Sequence, residues 1–338
     1  AMPMNTFSKK FLSFLLLTFS LSFVGCGGGS ATTDAGEKAP LKIAFSDWPG
    51  WVAWEVAIQK GFFEKVGVDV KFEWLEYVPS MDAFAAGKVD ACAMTNGDTL
   101  VTGASGAKGV MILINDYSDG NDIVVAKPGI KSVKDLKGKK VGVEVGFVGH
   151  LLLLKALEAN GLTEDDVELV NVATDKTPET LASGDVDAIV AWQPNSGQAL
   201  KAVPGSTAVY TSSDVKGLIY DVLAVTPQSL DERRDDWKKV IDAWYMAVDY
   251  IKDPATRDDA IKIMASRVDL PADEYAKFVD GTYILSKEEA LKRAKQAEGL
   301  GSLHGSSVIS DQFNVKYEAY ETAQDIDSYI DMSLLEGK

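Results

Sequence analysis

Met81-Asp82-Ala83-Phe84-Ala85-Ala86-Gly87-Lys88-Val89-Asp90-Ala91 is echoed by Thr180-Leu181-Ala182-Ser183-Gly184-Asp185-Val186-Asp187-Ala188. In each copy an amphipathic stretch stops at a glycine suited to the left-handed backbone of a helix C-cap, and an apolar run then begins at Val-Asp-Ala. Two similar α/β lobes account for both copies, whereas one large doubly wound sheet leaves the duplication unexplained. Outward from these copies, short apolar runs alternate with amphipathic stretches, the pattern of stacked βαβ units. Strands are predicted at 41–45, 68–74, 90–94, 109–114, 122–126, 140–144, 167–172, 187–191, 206–210 and 220–225. Helices are predicted near 51–60, 79–86, 97–103, 148–160, 177–183 and 194–201. From Asp236 the pattern is helix alone, with no strand of comparable quality. The extended runs 122–126 and 220–225 read as hinge strands crossing between the lobes.

The loop after the first strand is Ser46-Asp47-Trp48-Pro49-Gly50-Trp51-Val52-Ala53-Trp54-Glu55. The carboxyl end of a strand in an α/β sheet is where ligands bind, and this loop carries an acid among tryptophans. Aromatic faces beside a carboxylate suit a small cation. Trp54, at helical spacing from Trp51 and Ile58, reads as the buried face of its helix. Asp47 and Trp48 precede the helix and are free of that constraint.

The formal charge of −16 over 338 residues argues against nucleic acid or an anionic membrane surface as partner, because both are held by clustered Lys and Arg. Lys9-Lys10, the apolar run Phe11 to Val24 and Gly25-Cys26 fit the regions of a secretory signal. Residues 27–39, rich in Gly, Ser, Thr and Ala, read as a flexible tether. The other cysteine, Cys92, has no partner for an internal disulfide and reads as a small buried hydrophobe. No metal-ligand spacing occurs, and no cofactor is expected.

Gly61-Phe62-Phe63, Ala85-Ala86-Gly87-Lys88-Val89-Asp90-Ala91, Asp119-Gly120-Asn121-Asp122-Ile123-Val124-Val125-Ala126, Val133-Lys134-Asp135-Leu136-Lys137-Gly138-Lys139-Lys140-Val141 and Gly184-Asp185-Val186-Asp187-Ala188 with Trp192-Gln193-Pro194 together resemble the nitrate, sulfonate and taurine family of periplasmic substrate-binding proteins. The resemblance covers about residues 40–335. It implies a two-lobed, hinge-closing α/β fold of the type II periplasmic-binding class, with a helical C-terminal segment. Lobe I would take 40–124 plus 224–338, and lobe II 125–223. It implies delivery of a small solute to the permease and ATPase subunits of an ABC importer. Cys26 after Gly25 resembles the lipidated cysteine of a bacterial lipoprotein signal spanning 1–26, which implies an anchor on the periplasmic side of the cell envelope. Phe23 departs from the leucine usual three places before that cysteine.

The ligand loops depart from the anion-binding members. Those carry small hydroxyl residues after the first strand of lobe II, where this chain has Val143-Glu144-Val145-Gly146-Phe147-Val148-Gly149-His150. Acids at 47, 98 and 144 make a poor setting for an anion, since a buried carboxylate facing one is costly. The expected ligand-binding residues are Asp47, Trp48, Trp51, Asp98, Glu144, Phe147, Trp192, Tyr220 and Asp221, with His150 and Lys176 the only basic residues expected nearby. Asp221 reads equally as a ligand contact or as a brace for the hinge. Carboxylates with flat aromatic faces match a planar, delocalised cation, of which guanidinium is the simplest. The loops also resemble a guanidine-uptake branch of the family. The alternatives are taurine, another alkanesulfonate or nitrate, or a solute-sensing role on the same fold. Asp116-Tyr117-Ser118-Asp119-Gly120-Asn121-Asp122 reads as a polar turn, because the distal Glu of a calcium loop is missing. His150 reads as structural and His304 as a loop residue. No nucleophile-elbow, phosphate-loop or zinc-helix motif occurs, so catalysis is not expected.

Overall fold

The computed structural model describes residues 38–337. Its strands are Leu41–Phe45 (β1), Val70–Trp74 (β2), Ala91–Thr95 (β3), Val110–Ser118 (β4), Asp122–Ala126 (β5), Lys140–Val143 (β6), Glu168–Asn171 (β7), Ala188–Trp192 (β8), Thr207–Thr211 (β9), Tyr220–Val225 (β10) and Thr282–Ile284 (β11). They form one sheet ordered β11-β4-β10-β3-β1-β2 and a second ordered β7-β6-β8-β5-β9. The expected signal 1–26, with Cys26, and nearly all of the expected tether lie outside the described residues.

The two sheets share a plan that starts from the repeated motif. Gly87 and Gly184 both adopt positive φ, 69° and 83°, at the ends of their helices. Asp90 Oδ2 accepts from the Lys42 amide at the start of β1 (2.8 Å), and Asp187 Oδ2 accepts from the Lys140 amide at the start of β6 (2.9 Å). The backbone of Asp90 also bonds to Lys42 and Thr226, and that of Asp187 to Lys140 and Lys127. Each Asp thereby fastens a parallel neighbour on one side and an antiparallel one on the other. The parallel trio β3, β1, β2 with antiparallel β10 corresponds to β8, β6, β7 with antiparallel β5.

β5 and β10 are the chain's exchange between sheets, but neither spans the gap. Each lies wholly inside one sheet, flanked on both sides. The chain leaves the first sheet after Ser118 and rejoins it at Tyr220, so crossovers expected at 122–126 and 220–225 are replaced by segments just before those strands. The expected lobe boundaries at 124/125 and 223/224 fall within strands. At the crossover, Ser118 Oγ donates to Asp122 Oδ2 (2.5 Å) and shares a hydrogen bond with Ser212 Oγ (2.6 Å), while the Gly120 amide donates to Ser212 Oγ (2.8 Å).

Two further expectations are corrected. The all-helical C-terminal segment contains β11, which pairs with β4 through Thr282, Tyr283 and Ile284; three residues are too few to show alternation. The expected helix 51–60 is two short ones, Pro49–Val52 and Trp54–Gln59, with the chain tightening at Ala53. Trp54 packs on Trp244 at 4.6 Å between ring centroids and on Phe63 and Phe72, as its spacing requires. Cys92 is enclosed in β3, where burial pushes its thiol up to about 12 and leaves it unreactive.

Candidate functional site

A small, nearly closed chamber with a cavity volume of about 10 Å³ lies where strand ends of both sheets converge. The register brings its polar floor together. Asp221, near the start of β10, pairs across the ladder with Thr95 at the end of β3 and with Asp116 in β4. Asp122, the first residue of β5, is opposite Trp192, the last of β8. Trp48, Trp51, Tyr77 and Trp192 supply the aromatic walls, and Val148 and Ile219 complete them. Trp51 lies 5.3 Å from Tyr77 at 32°, and Trp192 meets Tyr77 edge-on at 5.2 Å and 88°.

Most polar groups of the walls are already engaged. Trp48 Nε1 donates to both oxygens of Asp116, at 3.1 and 3.3 Å. That carboxylate sits so close to Gly50 that a Cβ there would fall 1.7 Å from Asp116 Oδ2, so the loop needs glycine at this position. Tyr77 Oη accepts from the Thr95 amide (3.1 Å) and donates to Asp98 Oδ2 (2.6 Å). The same oxygen accepts from the Val148 amide, at 3.3 Å, at the N-terminus of helix Val148–Ala159. Asp221 Oδ2, by contrast, has no N–H or hydroxyl donor among the described residues.

The electrostatics of this floor are one-sided. Asp98, Asp116, Asp122 and Asp221 are all 3% exposed or less. Among the described residues no Lys, Arg or His forms an ion pair with any of them, and none lines the chamber. Burial pushes Asp98 up to about 6 and Asp116 and Asp122 up to about 7. Asp221 is raised well above the ordinary carboxylate range by burial and by the charge of Asp116, with which it shares a hydrogen bond. Such a lining offers ionisable carboxyls and flat aromatic faces, and no counter-charge for an anion.

Of the residues expected from sequence, Trp48, Trp51, Trp192 and Asp221 line the chamber. Asp98 stands behind it on Tyr77. Asp47 is turned to the second sheet, accepting from Trp192 Nε1 (3.0 Å) and Asn195 Nδ2 (2.9 Å). Glu144 accepts from the Thr174 amide (3.1 Å), with burial raising it to about 7, and lies outside the chamber wall. Phe147 lines a separate pocket with His150 and Phe313. Tyr220 Oη donates to the Leu300 carbonyl and accepts from Arg293. Lys176 is paired with Asp175. His150 Nδ1 accepts from the Gly146 amide (3.0 Å), a structural role, and His304 belongs to helix Leu303–Lys316 rather than a loop.

Tyr77, Thr95, Asp116 and Asp122 were not expected at the site. The reading of 116–122 as a polar turn holds only for its middle; Asp116 and Asp122 are buried strand residues. The signal that could have marked them is the position of each acid at the junction of an apolar run with the crossover.

Comparison with known proteins finds a matching family model and similarity to several binding proteins. Residues 34–265 match the model of the NMT1-like family. A binding protein of Brucella abortus is 30% identical over 204 residues, 60% of this chain and 61% of that protein, so the match spans about three-fifths of the relative's length. In fold, the chain resembles the periplasmic aliphatic sulphonate binding protein SsuA from Escherichia coli, with a TM-score of 0.72 at 19% identity, covering 89% of this chain and all of the other. The periplasmic nitrate-binding protein NrtA from Synechocystis gives 0.69 at 12% identity over 88% and 87% of the two chains. The architecture is thus the two-domain α/β fold of periplasmic binding proteins.

Proposed function

The chain belongs to the NMT1-like family, and from that premise we propose that it captures a small solute at the bacterial envelope and hands it to the permease and ATPase subunits of an ABC importer. Its role is binding and not catalysis. The solute is a small planar cation, with guanidinium the best match. One observation carries this reading: two enclosed carboxyls, Asp122 and Asp221, line an aromatic chamber whose walls Tyr77 and Trp48 hold two more, Asp98 and Asp116, and no cationic side chain among the described residues lines it. A delocalised cation stacks on such faces and gives in-plane hydrogen bonds to the carboxylates.

Taurine, an alkanesulfonate or nitrate is the second reading, favoured by what the similar SsuA and NrtA are named for. An anion in this chamber would find no counter-charge. The helix N-terminus that would offer it amides already gives the Val148 amide to Asp98. A thermal-shift series with guanidinium chloride, taurine and nitrate at low millimolar concentration separates the two, because a solute that binds only the folded state raises its melting temperature. A rise with guanidinium alone is expected; a rise with taurine or nitrate alone overturns the cation reading. Anchoring through Cys26 is part of the same proposal. Mass spectrometry of the mature protein should find a modified Cys26 at its start, and an intact leader would reject the anchor.

A further inference from the structure

The loop after β1 and the end of β8 belong to different sheets and are joined at one carboxylate. Both oxygens of Asp47 are used: Oδ1 accepts from the Trp192 indole, 3.0 Å away, and Oδ2 from the Asn195 amide, 2.9 Å away. Asn195 is 5% exposed, so the bond on that side is sheltered from water. Asp47 itself does not line the chamber, while the Trp192 ring does. Its two donors therefore fix one chamber wall against the opposite sheet.

Away from the crossover, where the buried Asn121 amide donates to the Phe278 carbonyl and Thr282 Oγ1, other links across the sheets are of a weaker kind. Lys201 meets Glu274, and Lys316 meets Glu158 at 2.8 Å, but these pairs are exposed, and water and salt screen them. The Val148 amide to Asp98 contact is longer, 3.3 Å, and that oxygen already holds the Tyr77 hydroxyl. Asp47, in the loop after β1, holds two side-chain donors from the end of β8 and the helix that follows it, and it does so beside the chamber.

We propose that Asp47 is a latch: by holding Trp192 and Asn195 it sets the lifetime of the closed chamber, and it is a positioning residue that does not touch the solute. The proposal rests on the reading of the chain as a protein that closes over a solute. Truncating one side of a sheltered, hydrogen-bonded charge acts chiefly on dissociation. Asp47→Ala and Asn195→Ala therefore speed guanidinium release by roughly ten- to a hundredfold, with little change in the association rate. Trp192→Phe keeps a ring in the wall and removes the N–H, so it faults the same latch. The double variant Asp47→Ala/Trp192→Phe is then no faster in release than the sum of independent faults would require, and close to Asp47→Ala alone.

The test uses fluorophores attached to exposed positions on the two sheets of the full chain, reporting the closed fraction with and without guanidinium, alongside stopped-flow release rates. Thermal unfolding of each variant confirms that it is folded, and Asn195→Ala stands in if Asp47→Ala is not. A lower closed fraction and faster release in the variants are expected. Closed fractions and release rates equal to wild type in all variants overturn the latch. A wild-type protein that does not respond to guanidinium overturns the cation reading, and the ligand-free closed fractions then judge the latch by themselves.

Discussion

Asp221 presents one buried carboxylate oxygen with no donor to a chamber that lacks a cationic side chain. Burial and the neighbouring Asp116 make ionising this carboxyl unpaired costly, and a bound cation offsets that cost. Asp221→Asn or Asp122→Asn should therefore weaken guanidinium binding by about 2–5 kcal/mol, measured by calorimetry. Glu144→Gln should change it little, since Glu144 serves the Thr174 amide. Gly50→Ala should destabilise the fold by about 1–3 kcal/mol in denaturant unfolding, because the added methyl collides with the Asp116 carboxylate. Three of the four aromatic walls were legible in the sequence, since Trp48 and Trp51 follow β1 and Trp192 ends β8, while Tyr77 was not. The acids were legible only in part. Asp116 and Asp122 sit in a run whose composition matches a turn; Asp122 opens the predicted strand 122–126, but only non-local pairing with β10 shows Asp116 as a strand residue.

At the scale of elements, the repeated helix, glycine and Val-Asp-Ala unit is the part of the fold that the sequence displays most openly. Its physical content is the Asp carboxylate tying the amide at the start of the neighbouring strand. Asp90→Ala and Asp187→Ala should each lower stability by about 0.5–3 kcal/mol, read from the midpoint of urea unfolding at constant slope. Where the sequence misled, the cause was again distance along the chain. β11 is a strand only because β4 offers it an edge, and Tyr283 stacks on Tyr117 at 4.7 Å. The exchange strands read as crossovers because their extended, apolar character fits a hinge as well as a sheet interior.

In the whole molecule, closure, charge and protons are coupled. If the two sheets close over the solute, the radius of gyration in solution scattering should fall on adding guanidinium, and an unchanged radius at saturation would count against closure. Asp98, Asp116 and Asp122 hold their protons to about pH 6–7 when folded, against an ordinary value of 3.8. Because the folded chain then binds more protons than the unfolded one, these groups stabilise the ligand-free protein below about pH 4, and that contribution is lost as pH rises through 6–7. Differential scanning calorimetry should show the ligand-free melting temperature falling over this window, with the fall reduced in Asp122→Asn. A cation favours the ionised carboxylates, so its binding should release protons, whereas an anion would bind better to the protonated cluster. The most direct test is titration calorimetry of guanidinium from pH 5 to 8 in buffers of different ionisation enthalpy. Affinity that rises with pH, with a buffer-dependent heat that reports proton release, is the predicted result; no binding at millimolar guanidinium while taurine or nitrate binds, more tightly as pH falls, would contradict the account.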